Sequence, residues 1–210
     1  MGLGVRKVLF ISIIALILFI SSVSADIIIT EIMYSPNSTL QGSNSNLEWI
    51  ELYNNGSSIV DLSNWTLEEN AFDDINISVG EYIIIARDLN DSNSDNESFE
   101  SYYGNNDSVW NSTDASWNAS DGGMTLSNSG EIVNLTNGSS TYTVNYTNFI
   151  SFAAEDGKTL IWYDANWTSS KYINGTPGSA NDEWVPTISN VTNYTNDGTI
   201  NMDDNVTLNS

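Results

Sequence analysis

Short runs of β-branched and aromatic residues, each bounded by Asn, Gly or Ser, recur between residues 27 and 163. A chain patterned in this way is confined to β structure. Residues 27–34 form an apolar run interrupted by Glu31. Residues 47–53 alternate, with Trp49, Glu51 and Tyr53 on one side and Glu48, Ile50 and Leu52 on the other. Asn54-Asn55-Gly56-Ser57 signals a turn, after which Ile59, Val60, Leu62, Trp65 and Leu67 resume the apolar series. Residues 80–86 have an apolar core with no polar break and are a candidate for the sheet interior. Further strands are predicted at 131–136, 141–146 and 158–163, the last entered through Asp156-Gly157. The best helix candidate is a single turn at 99–103. Seven or more short strands with turn signals between them predict an all-β, Ig-like β-sandwich.

Two segments depart from this texture. Residues 87–120 are rich in Asp, Asn and Ser, and a loop of that length inside a compact domain is usually functional or mobile. Its aromatics are Phe99, Tyr102, Tyr103, Trp110 and Trp117, and the last four can be read as a sugar-stacking platform, as cover for the protein's own glycans, or as anchors to the sandwich. From Trp184 onward, Val185-Pro186-Thr187 and the residues after it resemble a linker and the first strand of a second Ig-like repeat; a C-terminal tail is the alternative. The organisation expected is a signal segment at 1–25, one domain at 26–182, and a linker with the start of a truncated repeat at 183–210.

Residues 1–25 have the form of a secretory signal. Arg6-Lys7 supplies the positive end, residues 8–20 the apolar stretch, and Val23-Ser24-Ala25 the small-residue cleavage rule, so cleavage is expected between Ala25 and Asp26. An uncleaved anchor is the competing reading. The apolar stretch then runs from 8 to 23 and includes three serines, whereas a membrane span needs about 20 residues. Either way the rest of the chain is expected outside the cytoplasm, secreted or on the cell surface, touching the membrane only through this segment if it is retained.

Charge and composition narrow the function. The chain has no Cys and no His, which removes disulfides, the usual zinc sites and any Ser-His-Asp or Cys-His dyad. Beyond residue 25 it carries 3 basic and 27 acidic side chains, a net charge of −24. Nucleic-acid binding through phosphate neutralisation is ruled out as a partner reading at this charge. No cofactor is expected. The acidic loops offer weak calcium candidates at Asp88, Asp91 and Asp95. The EF-hand spacing fails: counted from Asp91, the sixth position is Asn96 and the twelfth is Tyr102.

The sequence holds 29 Asn, and 17 of them open an N-x-Ser/Thr triplet. Ser and Thr make up 22% of the chain, so chance would give about 6. Exposed glycosylation acceptors are expected in the polar stretch at Asn90, Asn96, Asn106, Asn111 and Asn118, and in turns at Asn137 and Asn174. Asn64-Trp65-Thr66 reads as lying in or beside a strand, so burial of Asn64 is expected. An acidic, cysteine-free, exported and sequon-loaded chain resembles archaeal cell-surface material in style, with other surface proteins or glycans as its partners.

Glu31, Glu48 and Glu51 stand among apolar strand residues. Paired, buried carboxylates are the apparatus of a glycosidase, whereas carboxylates on a strand edge or a solvent face are ordinary on so acidic a chain. If the face that carries Glu51 points inward, however, its carboxylate needs N–H partners and becomes a structural latch.

Several stretches, in order, are similar to lamin tail domains. They are Ile29-Thr-Glu-Ile-Met-Tyr-Ser-Pro36, Glu48-Trp-Ile-Glu-Leu-Tyr-Asn54, Val60-Asp-Leu-Ser-Asn-Trp-Thr-Leu67, Val79-Gly-Glu-Tyr-Ile-Ile-Ile-Ala86, Leu126-Ser-Asn-Ser-Gly-Glu-Ile-Val-Asn-Leu135 and Gly175-Thr-Pro-Gly-Ser-Ala-Asn181. The resemblance covers about residues 26–182, and its closing motif is typical of the prokaryotic, secreted branch. It implies an Ig-like sandwich serving as an accessory module of surface proteins. It transfers no catalytic residue, and the absence of a coiled-coil rod separates this chain from filament-forming relatives. The function expected is therefore that of a non-catalytic structural or interaction module. Carbohydrate binding through the loop aromatics, or service to an exported enzyme whose catalytic part follows residue 210, are the alternatives.

Overall fold

The computed structural model describes residues 27–41, 45–72, 75–92, 97–152 and 157–181. The expected signal segment with Ala25 and Asp26, the candidates Asp95 and Asn96, and the expected linker at 183–210 lie outside the described residues. Twelve strands are present among those described: β1 Ile27–Met33, β2 Trp49–Asn54, β3 Val60–Asp61, β4 Thr66–Leu67, β5 Asn70–Ala71, β6 Asn76–Ile77, β7 Tyr82–Ala86, β8 Asn118–Asp121, β9 Ile132–Thr136, β10 Thr141–Asn145, β11 Leu160–Tyr163 and β12 Asn166–Ser169. Two short helices, α1 Ser38–Gln41 and α2 Phe99–Tyr103, and a 3₁₀ turn at Ile150–Phe152 complete the inventory. None of these helices is long and apolar enough to cross a membrane.

The strands form a six-stranded sheet in the order β12-β11-β1-β2-β7-β8, a four-stranded sheet β10-β9-β4-β5, and the pair β3-β6. All neighbours are antiparallel except β7 and β8. The main core fills the space between the sheets. Ile29, Ile32, Ile50, Leu52, Ile83 and Ile85 from the large sheet meet Leu67, Val133, Leu135 and Val144 from the smaller one. This is the all-β sandwich that the strand pattern predicts.

The large sheet is covered on its other face as well. Met33, Trp49, Ile84, Ala86, Leu89 and Phe99 form a second core, with Tyr103, Trp110 and Trp117 packed against it. That double cover explains the unbroken run in β7. Ile83 and Ile85 point into the first core while Ile84 and Ala86 point into the second, so neither face has room for a polar residue.

The described residues of the polar segment 87–120, which reads as a long loop, are built onto this second core. Ser98 caps α2 in a reciprocal capping box with Ser101. Phe99 then stacks on Tyr103 with ring centroids 4.4 Å apart and meets Trp49 edge-on at 6.3 Å. Asp88 and Leu89 carbonyls receive the Phe99 and Glu100 amides, and the buried Glu100 carboxylate accepts the N–H groups of Asp107 and Ser108. Polar composition here reflects side chains that satisfy irregular backbone, while a few aromatics supply the packing.

Candidate functional site

A bulge in β1 brings two carboxylates together. The pairing of β1 with β2 runs in step from Ile27↔Asn54 to Ile29↔Leu52 and then shifts, so that Glu31 faces Glu51. One residue is thereby inserted, and the inward series changes from Ile27 and Ile29 to Ile32 and Tyr34. Thr30 and Glu31 are both left on the side of Glu51. The Thr30 hydroxyl donates to Glu51 Oε1 at 2.6 Å. Glu31 and Glu51 are both fully buried.

The segment after β12 closes over this pair. Thr176 donates its N–H to Glu31 Oε1 at 3.1 Å, and its hydroxyl lies 3.1 Å from Glu31 Oε2. Thr159 adds its hydroxyl to Glu31. Gly178 donates its N–H to Glu51 Oε2 at 2.8 Å, and Asn181 Nδ2 donates to the Thr30 carbonyl at 2.8 Å. The motif Gly175-Thr-Pro-Gly-Ser-Ala-Asn181 is thus a latch that satisfies two buried acids.

Both glycines are demanded by the closeness of that approach. Gly178 sits at φ +78°, and a Cβ there would come within 2.2 Å of the Trp117 ring. At Gly175, φ +69°, a Cβ would stand 2.2 Å from Glu31 Oε1. The latch also meets the polar segment, because the Tyr102 hydroxyl donates to Asn174 Oδ1 at 2.9 Å and Tyr103 donates to the Asn174 carbonyl at 3.3 Å.

Burial sets the electrostatics. It pushes Glu31 up to about 7, against the pull of hydrogen bonds from Thr159 and Thr176. Glu51 is raised well above the usual carboxylate range, first by burial and then by the neighbouring Glu31 charge. Two buried carboxylates paired across β1 and β2 titrate as a unit, and burial favours the protonated form of each. Glu48 lies on the opposite face of β2. Its Oε2 accepts the Leu126 N–H at 2.8 Å and pairs with Arg87 at 3.4 Å, while burial raises it to about 7. All three acids are buried, not on a solvent face, because each accepts donors from the fold, and the latch reading of Glu51 describes its geometry.

The loop aromatics do come together, but around Phe99. Trp110 lies 5.3 Å and Trp117 6.0 Å from that ring, and 4.8 Å from each other. Tyr103 accepts the Trp49 indole N–H at 3.1 Å. Trp117 also lines an open groove of about 220 Å³, shared with Gly80, Glu81, Tyr82, Ser116, Asn118 and Gly178. Of the weak calcium candidates, Asp88 and Asp91 lie among the described residues. Asp88 is buried and turns Oδ1 to the Ser92 N–H at 2.9 Å, and among the described residues no group of three or more acidic side chains could hold a metal ion.

The sequon asparagines among the described residues are exposed or half-buried. Asn90, Asn106, Asn118 and Asn137 are exposed, and Asn111 and Asn174 are half-buried. Asn64, expected to be buried, is exposed. It belongs to the turn before β4, where Trp65 N–H returns to the Leu62 carbonyl and directs the polar side chain outward. Asn174 is partly committed to the tyrosines of the polar segment.

Comparison with protein families gives a match to the Lamin Tail Domain over residues 20–148, more than half of the chain. No curated protein and no solved structure shows a significant match. The matched span reaches through β10, so β11, β12 and the latch lie beyond it.

Proposed function

The chain belongs to the lamin tail domain family, and we propose that it works as a secreted or cell-surface structural and interaction module. Lamin tail domains are non-catalytic β-sandwich modules, and the finer reading adds export and N-glycosylation. The observation that carries the non-catalytic reading is how the fold disposes of its own reactive-looking groups. Glu31, Glu48 and Glu51 accept N–H and O–H donors from the fold itself, and all three are sealed from solvent. A rigid sandwich then offers partners its loops, its charge and its sugars. Those partners are neighbouring surface proteins or glycans, and the −24 charge beyond residue 25 argues against nucleic acid.

Cell fractionation with N-terminal sequencing tests the export half of the proposal. Recovery in the surface or medium fraction with Asp26 at the amino terminus is expected. Retention in the cytoplasm with residues 1–25 intact would overturn it.

One observation favours a second reading, carbohydrate binding. The groove beside Trp117 combines that ring and Tyr82 with Glu81 and Asn118, an aromatic wall with polar groups of the kind sugars engage. Binding on a glycan array that is lost in Tyr82→Ala would support it, and no binding on a broad array would remove it.

A further inference from the structure

A sheet that ends in a strand presents unpaired backbone N–H and C=O groups, which other sheets can pair with. The two larger sheets here end in β12, β8, β10 and β5. Strand β5 is only two residues long, and shortness is itself a protection. The other three are longer, with sequences Asn-Ala-Ser-Asp, Thr-Tyr-Thr-Val-Asn and Asn-Trp-Thr-Ser. They contain no Lys and no Pro, the residues that commonly blunt an edge, and their single charge is Asp121. Thr-Tyr-Thr-Val in β10 has high β-propensity and no charge, the composition that invites cross-strand association.

What these three edges share is an N-x-Ser/Thr acceptor at one end. Asn118 opens β8, Asn145 closes β10 and Asn166 opens β12, and all three are exposed. Among the described strands of these two sheets that have a neighbour on each side, only β9 carries an acceptor, the half-buried Asn134.

We propose that Asn118, Asn145 and Asn166 carry N-linked glycans that block the three long sheet edges against pairing with a second sheet. The inference rests on the glycosylated reading above and adds which sites matter and what they do. A paired strand must approach to about 4.8 Å along the hydrogen-bonding direction. A sugar at the end of the edge strand occupies that space, doing by bulk and hydration what lysine does elsewhere by charge. The modification joins Asn Nδ2 to the anomeric carbon of a polyprenyl-phosphate-linked glycan. The C–O bond to phosphate breaks with its electron pair passing to the phosphate, and the Nδ2 proton passes to a base of the transferase.

Glycopeptide mapping of the full chain from its native source is the first test, and occupancy at Asn118, Asn145 and Asn166 is expected. Glycans at loop sites alone would overturn the edge inference while leaving the glycosylated reading intact, and no glycan anywhere would overturn both. The second test compares two triple variants made in the same host. These are Asn118→Gln/Asn145→Gln/Asn166→Gln at the edges and Asn55→Gln/Asn106→Gln/Asn137→Gln in exposed turns. Light scattering should show several-fold more association for the edge triple, and adding Thr143→Lys in β10 should reverse part of it. Equal behaviour of the two triples would overturn the proposal. Circular dichroism of the edge triple checks that it keeps the sandwich. Should it lose its fold, enzymatic release of glycans from the folded wild type provides the same comparison, and association unchanged by release would overturn the edge role.

Discussion

Replacing Gly178 by Ala tests the latch at its tightest point. At φ +78° an L-residue costs about 1 kcal/mol. The added Cβ would also lie 2.2 Å from Trp117, so the segment must retreat from the ring. Retreat breaks the 2.8 Å hydrogen bond from the Gly178 N–H to Glu51 and leaves a buried carboxyl short of a donor, at roughly 1–3 kcal/mol. With the lost packing, the expected total is about 3–5 kcal/mol, a large share of the 5–15 kcal/mol that holds a typical domain together. Gly80→Ala is the matched control. Its φ is +76° but nothing stands within 4 Å of the new Cβ, so only the backbone cost of about 1 kcal/mol applies. In urea, with a slope of about 2 kcal/mol/M, the midpoint should fall by roughly 2 M for Gly178→Ala and by roughly 0.5 M for Gly80→Ala. Equal shifts for the two variants would mean that the segment does not close on Glu51 and Trp117 as described.

Three further outcomes are expected. Because burial raises Glu31 and Glu48 from 4.5 to about 7, the native state binds more protons than the unfolded chain between those values. Their contribution is therefore complete below about pH 4.5 and is lost as pH rises through about 7, so the urea midpoint should be higher at pH 5 than at pH 8. A midpoint that rises over this range would contradict the raised acids. Glu51→Gln, which mimics the protonated acid, should flatten that dependence, being less harmful at pH 8 than at pH 5; an unchanged slope would show that the pair is not coupled. Phe99→Ala removes the ring around which Trp49, Tyr103, Trp110 and Trp117 gather and should cost about 3–5 kcal/mol, with early proteolytic cleavage between residues 90 and 117. Cleavage first in the 54–58 turn would place the weak point elsewhere.

The strands were legible because a half-buried sheet writes its period into the chain. Residues 49–53 alternate in the sequence and in space, with Trp49 in the second core and Ile50 and Leu52 in the first. Strand β7 was legible as interior from its lack of alternation, but not the reason, which is a second apolar layer supplied by a segment that looks polar. There the average composition hid a handful of aromatics that do the packing while Asp, Asn and Ser side chains cap irregular backbone. The carboxylates at Glu31 and Glu51 stood out as misplaced charges. What neutralises them did not, because the bulge at Thr30 changes register within one strand and the donor Thr176 lies 145 residues from Glu31. Asn64 is exposed where burial is expected, because lying beside a strand does not fix which way a turn residue points. The closing Gly-Thr-Pro-Gly-Ser-Ala-Asn motif was visible as a pattern; its work becomes visible only when Gly178 is seen against Trp117.

Intact mass of the protein isolated from its native source bears most directly on the proposed role of an exported, sugar-bearing module. A heterogeneous mass well above that of the bare polypeptide beginning at Asp26, collapsing to it on deglycosylation, is the expected result. A single sharp mass equal to the unmodified polypeptide with residues 1–25 still attached would contradict both export and glycosylation.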